Sequence, residues 1–409
     1  MARFSFGIDK KSEYPSSDFR SRNYKGNWVK HYINKYVDSL GLIGIDSTQK
    51  QMSEYKIEHL PTYLYKFMPP TIYSLINIYH QSVYIASARN FNDPFDSYAC
   101  INKESFVKLF LAEKLKNLGL VSEAGNSNNL SKKEYWELYY SRVENDKNLN
   151  VKSFWTTFNN ICSAKSPEFS KLLNDLIIDS IGACNSKLEY IRNISYRISC
   201  FSNFEGEKEL MENTTMWSHY ADNHRGFCIK YLLNFEDVKY KDKILSGLFP
   251  VSYTSTPQSI SPRELYKLQI QDDKLKLSQS VQKTVLKSLT TKSKFWNYEK
   301  EWRLILNEND TALLYDNSIP FLKIDSIYLG CRVEPTVKKF ITNLADASGF
   351  GLFQTKQSDE KFILSSYSLN SKSQQWDEFH KKLWQIRNIK DKQEQSLLIQ
   401  SLYKEDFPI

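Results

Sequence analysis

Three things are scarce in this chain, and each scarcity narrows what it can be. Apolar runs are short. No stretch of about 18 consecutive apolar residues occurs, so no membrane span is expected. Cysteine is thinly used. Cys100, Cys162, Cys184, Cys200, Cys228 and Cys331 form no C-x-x-C pair and no zinc-type spacing. No metal is therefore expected, and free thiols of a cytoplasmic protein are the default reading. Glycine and proline stay at 13 and 12 in 409 residues, so low-complexity segments are absent. Met1 to Asp9 carries no apolar run of signal-peptide length.

What is present describes a globular protein. Aromatic residues reach 14%, with 26 Tyr and 24 Phe, which argues against disorder. The length allows a sizeable core and two or three domains. The net charge of +8 is spread over many lysines. It is compatible with a nucleic-acid partner but does not require one.

Composition and patterning suggest three regions. Residues 1–58 form an N-terminal segment with one helix, Trp28 to Leu40, whose Trp28, Tyr32, Ile33, Tyr36 and Val37 share a face. Arg20, Arg22 and Lys25 could serve as a nucleic-acid arm. Residues 59–368 read as an α+β core of mixed, largely antiparallel strands, with a helical insertion at 103–195 around a loop at Gly125–Asn129. Residues 369–409 read as C-terminal helices, with Trp376, Phe379, Leu383, Trp384 and Ile386 on one side. Strands are expected at 61–67, 82–87, 196–202, 227–232, 248–254 and 321–330, and as two more between 352 and 369. Helices are expected at 71–79, with Thr71 as its cap, at 210–224, at 337–348 ending at Gly349, and over the long stretch 265–293. Asn90 to Asp96 reads as a fixed turn, because Asn and Asp before Pro bond their own backbone.

The chemistry is placed in Phe295 to Leu306. An extended strand there points Glu299, Glu301 and Arg303 one way and Lys300, Trp302, Leu304 and Leu306 the other. Carboxylates held on a rigid strand beside an arginine suit a reactive centre. The plainer reading is a solvated strand face on which Arg303 neutralises one glutamate. His219 and His224 lie close together, but no third ligand accompanies them, so capping or hydrogen bonding is the expected role.

Six boxes in order resemble a bacterial family of unknown function, number 2971. They are Tyr-Lys-Phe at 65–67, Phe-Asn-Asp-Pro-Phe-Asp at 91–96, Cys-Phe-Ser at 200–202, Met-Trp-Ser-His-Tyr-Ala at 216–221, His-Arg-Gly-Phe-Cys-Ile at 224–229 and Tyr-Glu-Lys-Glu-Trp-Arg at 298–303. The order of a first strand with Tyr-Lys, a central strand ending in Ser and a late Glu-x-Glu also resembles the ADP-ribosyltransferase layout and its split sheet. That resemblance implies NAD as substrate. It makes Glu301 the carboxylate on the nicotinamide ribose and Glu299 the acceptor-directed one. Tyr65 or Lys66 would fill the first-strand position and Ser202 the central one. An aromatic such as Tyr65, Tyr220 or Tyr298 would stack on nicotinamide, with His219 and Arg303 also on the cofactor side. The sequence departs from the layout in having Tyr-Lys where Arg or His is usual, and Cys-Phe-Ser in place of Ser-Thr-Ser.

On this reading the protein is an effector, a toxin or antiphage protein, that modifies nucleic acid or protein. Asn92 and Asp93 would lie against the substrate. Two other readings remain. One is a nuclease-type protein using the basic charge, the paired histidines, Asn92, Asp93 and Asp96. The other is a non-enzymatic sensing subunit whose helical insertion or C-terminal helices bind a partner.

Overall fold

The computed structural model describes residues 27–39, 55–97, 99–117, 167–193, 196–235, 238–268, 278–307 and 317–370, with a few isolated positions and short strand pairs besides. The expected N-terminal basic arm, the loop at 125–129 and nearly all of the C-terminal helical stretch lie outside these residues.

In chain order the strands are β1 (Tyr63–Met68), β2 (Ser82–Tyr84), β3 (Ala86–Ser87), β4 (Ala99–Ile101), β5 (Arg197–Ser202) and β6 (Phe227–Leu232). They continue with β7 (Leu248–Pro250), β8 (Ser252–Thr254), β9 (Gln258–Ile260), β10 (Ile270–Gln271), β11 (Lys274–Leu275) and β12 (Thr291–Ser293). The last are β13 (Glu301–Leu306), β14 (Ser318–Pro320), β15 (Ile324–Leu329), β16 (Gly351–Gln357) and β17 (Leu364–Ser368). The chain divides into two compact units. One comprises Met1–Ser97, Ser195–Thr256 and Leu289–Ile409; the other comprises Tyr98–Ile194 and Pro257–Ser288.

The first unit is built on a nine-stranded sheet in the order β17-β16-β15-β6-β1-β5-β13-β7, with β3 on β5. Every pairing in it is antiparallel except β15 with β16. The fold is therefore α+β with a mixed, largely antiparallel sheet. Strand alternation divides the core between two faces. Leu64, Phe201, Ile229, Trp302, Leu304 and Ile327 join one apolar cluster, covered by Ile78, Ile244 and Ile341 from three helices. Tyr65, Phe67, Cys228, Tyr328 and Phe353 join the other, covered by Leu210, Met211, Met216 and Trp217. The helix Trp28–Ser39 belongs to the first face, where Trp28 lies 6.1 Å from Trp302 and Tyr36 lies 5.0 Å from Phe249. The helix Ile72–Tyr79 starts in a capping box, with the Thr71 hydroxyl accepting from the Ser74 backbone N–H.

The second unit, as described, packs the helices Lys103–Asn117, Pro167–Asn193 and Pro262–Lys267, with a parallel β4–β9 pair. Lys187 ties two of these helices together by donating to the carbonyls of Leu265 and Tyr266, at 3.2 and 2.8 Å. The stretch expected as one long helix, 265–293, is broken up. It holds the end of Pro262–Lys267, the β10–β11 hairpin, the helix Gln279–Leu289 and β12. Lysine and glutamine suit exposed positions in either state, so this composition masked the change of period.

Candidate functional site: a buried carboxylate cluster

The box Met216–Ile229 makes the scaffold. After the helix Thr214–Tyr220, Asp222, Asn223 and His224 adopt left-handed φ angles of 46°, 52° and 69° in succession. Non-glycine residues strain there, by about 1–2 kcal/mol each, and Asp, Asn and His are the types most often found there. Gly226 is required by space: a Cβ would lie 2.1 Å from the Met68 carbonyl oxygen on β1. The turn thereby fixes Trp217, Ser218 and Tyr220 against the sheet. His224 stacks on Trp217 and meets the Ser218 hydroxyl at 3.2 Å, so its role here is packing and hydrogen bonding.

The expected continuous strand through Glu299 does not form. Lys294–Glu299 is a 3₁₀ turn, Lys300 takes a left-handed conformation at φ 47°, and β13 begins only at Glu301. Lys300 is therefore not on the apolar face of a strand. It is partly exposed and pairs with Glu209 at 2.6 Å. Glu299 and Glu301 nonetheless converge, because the kink at Lys300 turns both toward Lys292 on β12. They are 3% and 4% exposed, which overturns the solvated-face reading.

Lys292 Nζ lies 2.6 Å from Glu299 Oε2, 3.2 Å from Glu301 Oε2 and 3.4 Å from Asp96 Oδ2. Arg303, fully buried, donates through Nε to Glu301 Oε1 at 2.8 Å and through Nη2 to Glu301 Oε2 at 3.0 Å. Its Nη2 also reaches Asp96 Oδ2 at 2.8 Å, and Nη1 donates to the Ser97 hydroxyl and the Leu289 carbonyl. Three carboxylates thus share the cations Lys292 and Arg303. Tyr220 donates to Glu299 Oε1 at 2.7 Å, and the Tyr253 hydroxyl accepts from the Glu301 backbone N–H at 2.8 Å.

This arrangement drives the two glutamates apart electrostatically. Burial, then the charge of Glu301, push the Glu299 carboxyl above its ordinary range, with Lys292 and Tyr220 opposing. Burial also acts to raise Glu301, but Arg303 and Lys292 outweigh it and hold its pKa at about 2. Burial favours the neutral amine at Lys292, yet Glu301, Glu299 and Asp96 outweigh it and raise its pKa. A carboxyl raised above its ordinary range beside one held well below it is the pattern of a divided acid–base pair.

Above the cluster sits an aromatic rim. Lys292 Nζ lies 5.0 Å from the centre of the Trp296 ring. Trp296 is 6.0 Å from Tyr298 and 6.0 Å, edge-on, from His219. His219 Nδ1 lies 3.5 Å from the Tyr298 hydroxyl, and Phe295 beside them is 83% exposed.

Of the residues expected from sequence, Glu299, Glu301, Arg303, Tyr220 and His219 come together here. Asn92 joins them through a side-chain hydrogen bond to Tyr220. Asp93 does not: its carboxylate accepts from the Phe95 backbone N–H, closing the turn. Tyr65 and Ser202 lie in one lateral row with Glu301 across β1, β5 and β13. Tyr65 is buried against Phe204, at 5.4 Å, and has no exposed surface to offer a ligand. Lys66 donates to the Ser199 hydroxyl and the Cys200 carbonyl at 3.0 Å each, within electrostatic reach of Glu301. Nothing local in the sequence marks Lys292 or Tyr253, each on a short strand. Asp96 reads in the sequence only as a turn residue and a possible nuclease ligand. A cavity of about 540 Å³, lined by Glu207, Lys208, Met211, Glu212, Lys361 and Leu364 among others, shares no residue with this cluster. Among the described residues no group of His, Cys, Asp and Glu is arranged to hold a metal ion, and no helix is long and apolar enough to cross a membrane.

Fold and site together define a mixed α+β protein with an ion cluster buried beneath an aromatic rim. The family model described as a protein of unknown function (DUF2971) matches residues 216–304, a stretch that holds Tyr220, Tyr253, Lys292, Glu299, Glu301 and Arg303. The family resemblance read from the motifs stands on that match. The boxes at 65–67, 91–96 and 200–202 lie outside it. No curated protein and no solved structure matches the chain.

Proposed function

We propose that the Glu299–Glu301 cluster is the centre of an ADP-ribosyltransferase-type reaction on NAD, carried out in the cytoplasm on a protein or nucleic-acid acceptor. The observation that carries this reading is the buried Glu299–Glu301 carboxylate pair, reached by the Tyr220 hydroxyl and bordered by Tyr298, His219 and Trp296, with the Lys292 ammonium 5.0 Å from the Trp296 ring. Nicotinamide in NAD is a planar cation, and aromatic faces over a carboxylate cluster suit such a ring. Breaking its bond to ribose develops positive charge on the sugar. A preorganised, permanently ionised carboxylate stabilises that charge. Glu301 fits this role because Arg303 and Lys292 fix its position and keep it ionised. Glu299, with its raised pKa, fits proton exchange with the acceptor. The lateral row Tyr65–Ser202–Glu301 supports the same layout.

Rim tryptophan provides the test. NAD added to the protein should quench tryptophan fluorescence, and Trp296→Phe should remove most of that quench. A wild-type emission unchanged at millimolar NAD, together with an unchanged melting temperature, would refute the reading.

A reading as a divalent-metal nuclease is less favoured. The positions between Asp96, Glu299 and Glu301 are filled by the Lys292 ammonium and the Arg303 guanidinium, which already supply the charge a metal would bring.

A further inference from the structure

Glu299 is nearly sealed from solvent. What reaches its Oε1 is the hydroxyl of Tyr220, at 2.7 Å. Tyr220 is only partly buried, and on its outer side the exposed Asn92 hydrogen-bonds the same hydroxyl. Asn92 is itself oriented, since its Oδ1 accepts from the Asp93 backbone N–H at 3.0 Å. The phenol thus spans the step from the surface to the buried carboxylate.

Resting on the NAD-cleavage reading above, we infer that Tyr220 is a catalytic residue that relays the acceptor's proton inward to Glu299, rather than a ring that stacks on nicotinamide. The bond between ribose C1′ and the nicotinamide nitrogen breaks, and its electron pair leaves with neutral nicotinamide. The acceptor hydroxyl oxygen forms a new bond to C1′. Its proton passes to Tyr220 Oη as the phenolic proton moves to Glu299 Oε1. Glu299 becomes neutral, and Tyr220 ends the step as a phenol again. Burial and the Glu299 charge both hold the phenol protonated, so it serves as a conduit and not as a standing base.

The relay is tested with NAD and two acceptor probes, water and methanol, by following nicotinamide release and methyl ADP-ribose. Tyr220→Phe should lower kcat about 100-fold, within the usual range for losing positioned proton transfer. KM for NAD should change by less than about threefold, since no ring is lost. Glu299→Gln should do the same, and the double variant should be no slower than either single one, because the two act as a unit. The acid limb of the pH–rate profile, set by Glu299, should disappear in all three. Asn92→Ala, at an exposed position, should lower kcat severalfold and keeps the test decisive if Tyr220→Phe fails to fold. Active wild type with Tyr220→Phe within twofold of it, or a double variant whose losses multiply, would overturn the relay alone. Wild type that releases no nicotinamide would overturn NAD cleavage and the relay together.

Discussion

Replacing Lys292 by methionine isolates the electrostatics of the cluster. Lys292 is one of two cations facing Asp96, Glu299 and Glu301, and it is about as buried as the carboxylates it holds. Methionine keeps most of the volume and removes the charge. Three carboxylates then share Arg303 alone. Removing one partner of a buried ionic group costs about 3–5 kcal/mol when the remainder stays charged. Here the remainder has an escape, because burial and the charge of Glu301 already hold the Glu299 carboxyl above its ordinary range. A carboxyl whose folded pKa lies above the unfolded value holds a proton that the unfolded chain releases. Its folded state therefore loses stability as pH rises through that interval. Without Lys292 the Glu299 pKa climbs further and the interval widens toward neutrality, at about 1.4 kcal/mol per pH unit. The expected loss is therefore about 3 kcal/mol near pH 8 and about 1 kcal/mol near pH 5.5. Urea titrations of wild type and variant at the two pH values measure it. A loss below about 1 kcal/mol at both, or a loss that grows on acidification, would refute the assignment of Lys292 as the counterion of Glu299.

Two further outcomes follow from other parts of the fold. Gly226→Ala places a Cβ 2.1 Å from the Met68 carbonyl, and should destabilise by about 3 kcal/mol, read as an early urea midpoint; a stability within about 0.5 kcal/mol of wild type would show that the turn yields. Lys56, fully buried, donates to the carbonyls of Leu245, Ser246 and Leu248, and burial pushes its pKa down to about 7. The folded state then binds fewer protons than the unfolded chain between pH about 7 and about 10, so this group makes stability rise with pH across that window. Lys56→Met should flatten the rise, and an unchanged slope of urea midpoint against pH would count against the depressed amine.

The fold was legible where one period dominates. Trp302, Leu304 and Leu306 were placed on the core face of β13 by alternation alone, and they lie there. Thr71 announced its helix, and Gly349 ended another with a left-handed φ of 75°. The site was legible only in part. Lys300 is neither glycine nor asparagine, so its left-handed kink had no sequence signal, and Glu299 was mistaken for a strand residue. Convergence of the two glutamates survived that error because the kink and Lys292 together restore it. Asp96, Lys292 and Tyr253 reach the cluster from segments far apart in the chain, and long-range convergence leaves no mark in local spacing. Tyr65 stands out in the sequence by its place in a motif; its burial against Phe204 depends on the helices Glu207–Glu212 and Thr214–Tyr220, which the strand pattern does not supply.

The most direct test of the central claim is nicotinamide release from NAD by wild type beside Glu301→Gln, with circular dichroism confirming that both are folded. Time-dependent release by wild type, falling at least about 100-fold in the variant, is the outcome predicted for a carboxylate that stabilises a sugar cation. Equal release by both proteins, or none by wild type, would contradict it.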